Sequence, residues 1–151
     1  MTKLLGIDYG TKKIGIALSD ETGVFAFPHS VIKNTNFSVA QIKKVCEENN
    51  VNKIILGESL NYKGEPNPIM KEIEVFKKNL EKEIGLLVVY QTEILTTQEA
   101  LRIPVKGEAR GKISNTKKIK MILKEKYKKA DSAAAAIILQ SWIDHHKTRN
   151  I

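Results

Sequence analysis

The chain has 151 residues, 42% of them hydrophobic, and carries a formal net charge of +8. This length suits one domain with a proper core, so we treat residues 1–151 as a single domain. The longest apolar runs are strand-length, too short to span a bilayer, and a lone cysteine, Cys46, excludes a disulfide framework or a cysteine metal site. Strand-like sequence begins at Lys3 and leaves no room for a signal peptide, so we expect a cytoplasmic protein with no membrane partner.

The first part of the chain predicts a meander of three strands. Residues 3–9 and 13–19 are apolar runs, and the short turn at 10–12 between them favours antiparallel pairing. Residues 24–32 supply the third strand, in which Pro28 indicates an edge or a bend.

Helices and strands alternate in the rest of the chain. Ser38 is the expected N-cap of a helix over 39–49, with Cys46 as a half-buried thiol on it, and an apolar strand over 51–56 ends at Gly57. The remaining predicted elements are a helix over 68–82 ended by Gly85, a strand over 86–90, a short helix capped by Thr96 or Thr97, a loop over 103–113, a basic helix from Ser114 or Asn115, and a helix over 130–146.

This element order predicts an α/β fold with a mixed five-stranded sheet. Three antiparallel meander strands come first and two parallel strands follow, with helices on both faces. The fourth and fifth strands are almost entirely apolar, which suits central parallel positions covered on both sides.

Three acids stand at unusual places in this order. Asp8 lies inside the first strand, where burying a carboxylate without a partner or cation is costly. Glu93 follows the fifth strand, and Asp131 opens an alanine-rich helix whose small side chains allow close approach to the sheet. If the first and fifth strands flank the fourth, all three acids can converge at one end of the sheet.

Converging carboxylates repel one another, and their pKa values rise unless a cation is present. An all-oxygen ligand set at an open site suits Mg²⁺ or Mn²⁺, and two such ions can hold the attacking and leaving oxygens of a phosphodiester. The pattern therefore predicts a nuclease site. Each acid also has a simpler interpretation: Asp8 as a partner of its own turn, Glu93 as an exposed acid before a helix, and Asp131 as an N-cap.

The positive charge is concentrated in one segment. Between Arg102 and Lys129 eleven bases face only two acids, so this segment accounts for the whole net charge. Such a segment favours a polyanion such as nucleic acid, although a solvated lysine-rich face is the alternative. The residues that we predict to bind nucleic acid are Lys12, Lys13, Arg102, Lys106, Arg110, Lys112, Lys117 and Lys118.

Three segments of the chain, residues 6–15, 95–97 and 131–144, resemble the YqgF/RuvX family. Members of that family have an RNase H-like fold and are provisionally named pre-16S rRNA nucleases or, in older usage, Holliday junction resolvases. The resemblance implies a metal-dependent phosphodiesterase site on the same three acids, Asp8, Glu93 and Asp131.

The chain departs from the family pattern at two places. After the fourth strand it has Gly57-Glu58-Ser59-Leu60 instead of a Gly-Leu-Pro-Leu-like turn, which makes Glu58 either a fourth metal ligand or a surface acid. The segment Thr92-Glu93-Ile94 lacks the family's acid before the Glu and its Arg after it. Another base, such as Arg102 or Lys112, would then replace that Arg.

The sequence therefore predicts an endonuclease that uses Mg²⁺ or Mn²⁺ to process the 5′ end of precursor 16S rRNA. Two alternatives stay open: a Holliday junction resolvase that acts on branched DNA as a dimer, and a non-catalytic RNA-binding protein of ribosome assembly. The Asp-x-Gly-Thr sequence at Asp8 also resembles the phosphate-binding hairpin of the actin, Hsp70 and sugar-kinase group. Those proteins close two lobes over ATP, and this chain has length for one. The oligomeric state is left open.

Overall fold

The structure is a computed structural model that describes residues 3–61, 63–92 and 130–147, with the side chains of 132–146 in the last segment. The strands are β1 (Lys3–Tyr9), β2 (Lys13–Ser19), β3 (Ala26–Lys33), β4 (Val51–Glu58) and β5 (Leu87–Thr92). The helices are α1 (Ser38–Asn49), α2 (Met70–Ile84) and α3 (Ala130–Lys147). The elements predicted between 96 and 129 lie outside the described residues.

The five strands form one sheet in the order β3-β2-β1-β4-β5. The β1–β2 and β2–β3 pairs are antiparallel, whereas β1–β4 and β4–β5 are parallel. The mixed sheet is therefore confirmed, and so is the condition that β1 and β5 flank β4. The central position predicted for β5 is wrong, because β5 ends the order and its Leu87 is 56% exposed.

Helices cover both faces of the sheet, as predicted. On one face Ile7 and Ile54 pack in a core cluster with Ile42 of α1 and Ile73 of α2, and all four side chains are fully buried. On the other face a second cluster joins Leu4, Ala17 and Ile55 of the sheet to Ala135, Ile138, Leu139 and Ile143 of α3. We call these the α1/α2 face and the α3 face.

The start of α1 differs from the prediction. Ser38 is the first residue of the helix and not its N-cap, which is Phe37 and makes no side-chain capping bond. The Ser38 hydroxyl instead accepts a bond from the Thr35 amide at 2.8 Å and donates to the Lys33 carbonyl at 3.0 Å. It therefore ties the end of β3 to the start of the helix. The predicted end of α2 is confirmed: Gly85 is its C-cap, with a φ of 77°.

The Cys46 thiol is more buried than the sequence predicted, at 3% exposure. Burial, helped by the charge of Glu47, raises its pKa from 9.0 to about 11. We therefore expect native protein at pH 8 to resist a thiol-specific reagent, because only the thiolate reacts. Urea-unfolded protein should take up one equivalent quickly, and rapid labelling of the native protein would contradict this burial.

The raised pKa of Cys46 also predicts that the protein becomes less stable at high pH. Because the folded pKa lies above 9.0, the unfolded chain loses this proton first as the pH rises. The Cys46 contribution to the free energy of unfolding is therefore constant below pH 9 and declines between pH 9 and 11.

No helix in the described ranges is both long and apolar enough to cross a membrane.

Candidate active site

Asp8 lies near the carboxyl end of β1, on the α3 face of the sheet. Side chains alternate along a strand, and Leu5 and Ile7 belong to the core under α1 and α2. Leu4 therefore faces α3, and Gly6 and Asp8 follow it on that face. The prediction that Asp8 is buried is wrong, since the residue is half-buried.

The neighbours of Asp8 in the sheet explain this exposure. On one side, Asp8 pairs with Gly15 of β2. On the other side, the last β1–β4 pair is Ile7 with Leu56, so the next residue of β4, Gly57, is the neighbour of Asp8. Neither glycine has a side chain that could cover the carboxylate. The sheet thus leaves room around Asp8 on the side where α3 lies.

The close approach of α3 to the sheet is visible at Gly6. A Cβ added to this glycine would lie 2.7 Å from the Cβ of Leu139 and 2.9 Å from the carbonyl oxygen of Ala135. Real Cβ atoms essentially never come so close to other heavy atoms, so only glycine fits here. The expectation that the alanine-rich helix comes close to the sheet is confirmed.

The direction of α3 places its first turn near Asp8. Toward the amino end of β1, Lys53 pairs with Leu4 and its ammonium lies 5.0 Å from the ring centroid of Trp142. Two residues further along β1, Gly6 meets Ala135 and Leu139. Since a strand advances about 3.3 Å per residue and a helix about 1.5 Å, the next two residues of β1 correspond to roughly four residues of α3.

The level of Asp8 therefore falls near the first turn of α3, which contains residue 131. Ser132 in that turn is 4% exposed, as expected where the helix rests on the sheet. The helical rise thus puts residue 131 in the part of α3 that begins near the carboxyl end of β1, while the Asp131 side chain lies outside the described atoms.

The end of β5 is on the same side of the molecule. Val89 packs in the core under α3, and the Gln91 amide donates to the Ser141 hydroxyl at 3.4 Å. These residues face α3, whereas Thr92, the last described residue of this segment, is on the opposite face. Glu93 follows Thr92 and lies outside the described residues.

Glu58 lies on the α1/α2 face and is not brought to Asp8. Ile55 packs under α3, so Leu56 and Glu58 face the other way by alternation. The pKa of Tyr90 is raised by burial and then by the charges of Glu74, Glu58 and Glu81. Glu58 therefore belongs to an acidic surface beside α2, which agrees with the alternative that it is a surface acid.

Lys12 and Lys13 lie at the turn between β1 and β2, two or three residues along the chain from Gly15, the β2 partner of Asp8. Both are exposed. Asn34 holds this turn from the end of β3: its side-chain amide donates to the Gly10 carbonyl at 2.7 Å, and its backbone amide donates to the Lys12 carbonyl at 2.9 Å. The remaining predicted phosphate contacts, from Arg102 to Lys118, lie outside the described residues.

The described part of the site contains one acid, Asp8, of the kind that binds a hard divalent cation. Asp8 offers a carboxylate that is partly open to solvent, and Mg²⁺ commonly binds one or two carboxylates and keeps several waters. Within the described ranges no three His, Cys, Asp or Glu residues come together as a metal cluster. The other two predicted ligands, Glu93 and the Asp131 carboxylate, are outside those ranges.

Solved structures share this fold. The chain matches Thermus thermophilus RuvC in complex with a Holliday junction substrate with a TM-score of 0.58 at 14% identity, covering 97% of this chain and 96% of that one. It matches the fowlpox virus resolvase in its Holliday junction DNA complex with a TM-score of 0.52 at 17% identity, covering 95% and 98%. The fold is therefore the RNase H-like fold of the RuvC-type resolvases.

Sequence comparison is more specific. The RuvX family, described as Holliday junction resolvase, matches residues 2–145. A Lactobacillus helveticus protein is 33% identical over 149 residues, which is 96% of this chain and 98% of that protein. A Carboxydothermus hydrogenoformans protein is 33% identical over 150 residues, or 98% and 99%. Both are provisionally named pre-16S rRNA nucleases. The chain belongs to the RuvX family.

Proposed function

We propose that this chain is a cytoplasmic endonuclease that requires a divalent metal and processes the 5′ end of precursor 16S rRNA. The observation that supports it best is that Asp8 lies partly buried at the carboxyl end of β1, on the face of the sheet that α3 approaches closely at Gly6. The provisional names of the curated relatives favour this RNA as the substrate.

Asp8, Glu93 and Asp131 are the proposed catalytic residues, and together they would hold one or two Mg²⁺ or Mn²⁺ ions. When bound, such an ion stabilises the negative charge that develops on the phosphate during cleavage. Asp8 would contribute its carboxylate from the end of β1, the middle strand of the sheet. Gly6 lets α3 lie against β1, which would bring Asp131 within reach of the same ion.

Glu93 is the ligand proposed from the end of β5. Val89 and Gln91 lie on the α3 face, and alternate residues of a strand share a face. Continuation of this alternation would direct Glu93 to the side of Asp8. We do not include Glu58 in the ligand set, because it lies on the opposite face.

The basic residues are proposed to hold the RNA backbone. Lys12 and Lys13 lie at the turn between β1 and β2, and the sequence from Arg102 to Lys118 adds six more predicted contacts. Lysine and arginine contacts to phosphate release counterions, so binding should weaken steeply as salt rises. Recognition by phosphate and shape fits a structured RNA.

Cleavage assays decide between this function and its alternatives. The protein is incubated with a 5′-extended precursor 16S rRNA fragment and with a four-way DNA junction, each in Mg²⁺, Mn²⁺ or EDTA. We expect metal-dependent cleavage of the RNA within its 5′ extension. Paired, symmetrical cuts in the junction, with a dimer in light scattering, would instead indicate the resolvase that the family description favours. Binding of RNA without cleavage in either metal would indicate an assembly protein.

A further inference from the structure

Lys13 and Lys33 form a like-charged pair directly across the β2–β3 ladder. The two residues are register partners at the end of this antiparallel pair, and both are exposed. Like charges directly opposite each other destabilise a sheet. Among the described residues, the ion pair between Lys77 and Glu81 involves neither of these lysines.

A bulge in β3 creates this pair. Ala17 pairs with Pro28, but the next residue of β2, Ile16, pairs with Ser30, so His29 is an extra residue. Without it the register would place Ile32 opposite Lys13 and turn Lys33 to the α1/α2 face. The bulge thus places a second lysine on the α3 face.

Both lysines lie on the same face as Asp8. The pair before them, Ile14 with Ile32, packs against the core under α1 and α2, so Lys13 and Lys33 face the other way. Lys13 is one strand away from Asp8 and two residues beyond its partner Gly15. Lys33 is one strand further out.

The backbone of the pair is held in place from both sides. Asn34, next to Lys33, donates to the Lys12 carbonyl at 2.9 Å and to the Gly10 carbonyl at 2.7 Å. The Ser38 hydroxyl donates to the Lys33 carbonyl at 3.0 Å. The backbone that carries the two lysines is therefore fixed by hydrogen bonds on both sides of Lys33.

We propose that Lys13 and Lys33 together bind a backbone phosphate of the RNA strand in the active site, on the β3 side of Asp8. An anion between the two ammonium groups removes their repulsion and adds a charge-assisted contact to each. This inference rests on the proposed nuclease function and adds Lys33 to it. The pair positions the strand and takes no part in the chemical step.

The test measures RNA binding as a function of KCl in EDTA, where no cleavage occurs. Lys13→Gln and Lys33→Gln are compared with Lys44→Gln, which removes an exposed lysine from α1. The probe is a fluorescent RNA hairpin with a 5′ single-stranded extension. The two substitutions together should reduce the slope of log K against log salt by about 0.7, the loss of one single-strand phosphate contact, and each single variant should reduce it by part of that amount. The melting temperatures should be unchanged or raised, because a repulsion is removed.

Failure of this pair is distinguishable from failure of the nuclease function. If Lys33→Gln has the same salt slope as Lys44→Gln while the wild-type protein cuts RNA, the proposed phosphate site is wrong and the proposed nuclease function is retained. If the salt slopes of Lys13→Gln and Lys33→Gln change but neither metal supports cleavage, the phosphate site is retained and the proposed nuclease function is wrong. A DNA strand of the same sequence should show equal shifts, since lysines contact phosphate in both. A shift confined to RNA would overturn the assignment to phosphate.

Discussion

Asp8→Asn is expected to reduce metal-dependent RNA cleavage by on the order of 100- to 1,000-fold, the usual effect of removing one group that stabilises a transition-state charge. Asparagine keeps the size of the side chain and one oxygen but removes the negative charge that would hold the cation. Because Asp8 is only partly buried and asparagine has the same shape, the substitution should leave the protein folded at the assay temperature. RNA affinity in EDTA should be equal or higher, since a repulsion from phosphate is lost.

Glu58→Gln is the matched control for this variant. Glu58 lies at the end of the strand next to β1, and it loses the same charge, but it faces α2. Cleavage by Glu58→Gln should therefore stay near the wild-type rate at every Mg²⁺ concentration. Metal-dependent cleavage that persists in Asp8→Asn would contradict the proposed site. A large loss of cleavage activity in Glu58→Gln would indicate that Glu58 is a metal ligand, and would contradict its placement on the opposite face of the sheet from Asp8.

The pattern of apolar residues was enough to predict the sheet but not the ends of its strands. The fourth strand was predicted to stop at residue 56, and Glu58 was then expected just past the strand end, beside the proposed site. The strand continues to Glu58, and alternation assigns this residue to the opposite face. A difference of one residue reverses the face of a side chain, so a strand end read from composition cannot fix a ligand set.

Features that depend on pairing between strands were outside the reach of the sequence pattern. Leu87 and Val88 look alike in a sequence, but only the strand order shows that β5 is an edge and leaves Leu87 exposed. Asp8 is half-buried because glycines of two other strands flank it. Lys33 was missed for the same reason, since the bulge at His29 determines which residue of β3 faces Lys13.

The contact between α3 and β1 gives the second large prediction. Gly6→Ala is expected to lower the free energy of unfolding by about 1–3 kcal/mol, because the new methyl group would overlap Leu139 and the Ala135 carbonyl. The helix must move away from β1 to make room. Its first turn carries Asp131, so the same shift should separate Asp131 from Asp8. Thermal unfolding and RNA cleavage are measured on the same preparation.

Ile73→Val separates the effect of the helix position from the effect of lower stability. Ile73 is fully buried on the other face, and its truncation should cost about 0.5–1.5 kcal/mol without moving α3. At a temperature where both variants are folded, Ile73→Val should cleave RNA at the wild-type rate, and Gly6→Ala should lose activity and bind Mn²⁺ more weakly in calorimetry. Equal cleavage rates of the two variants would mean that the contact of α3 with Gly6 contributes to stability but not to catalysis. A loss of activity in Gly6→Ala but not in Ile73→Val would show that Gly6, two residues from Asp8, affects the proposed metal site by allowing α3 to lie close to β1.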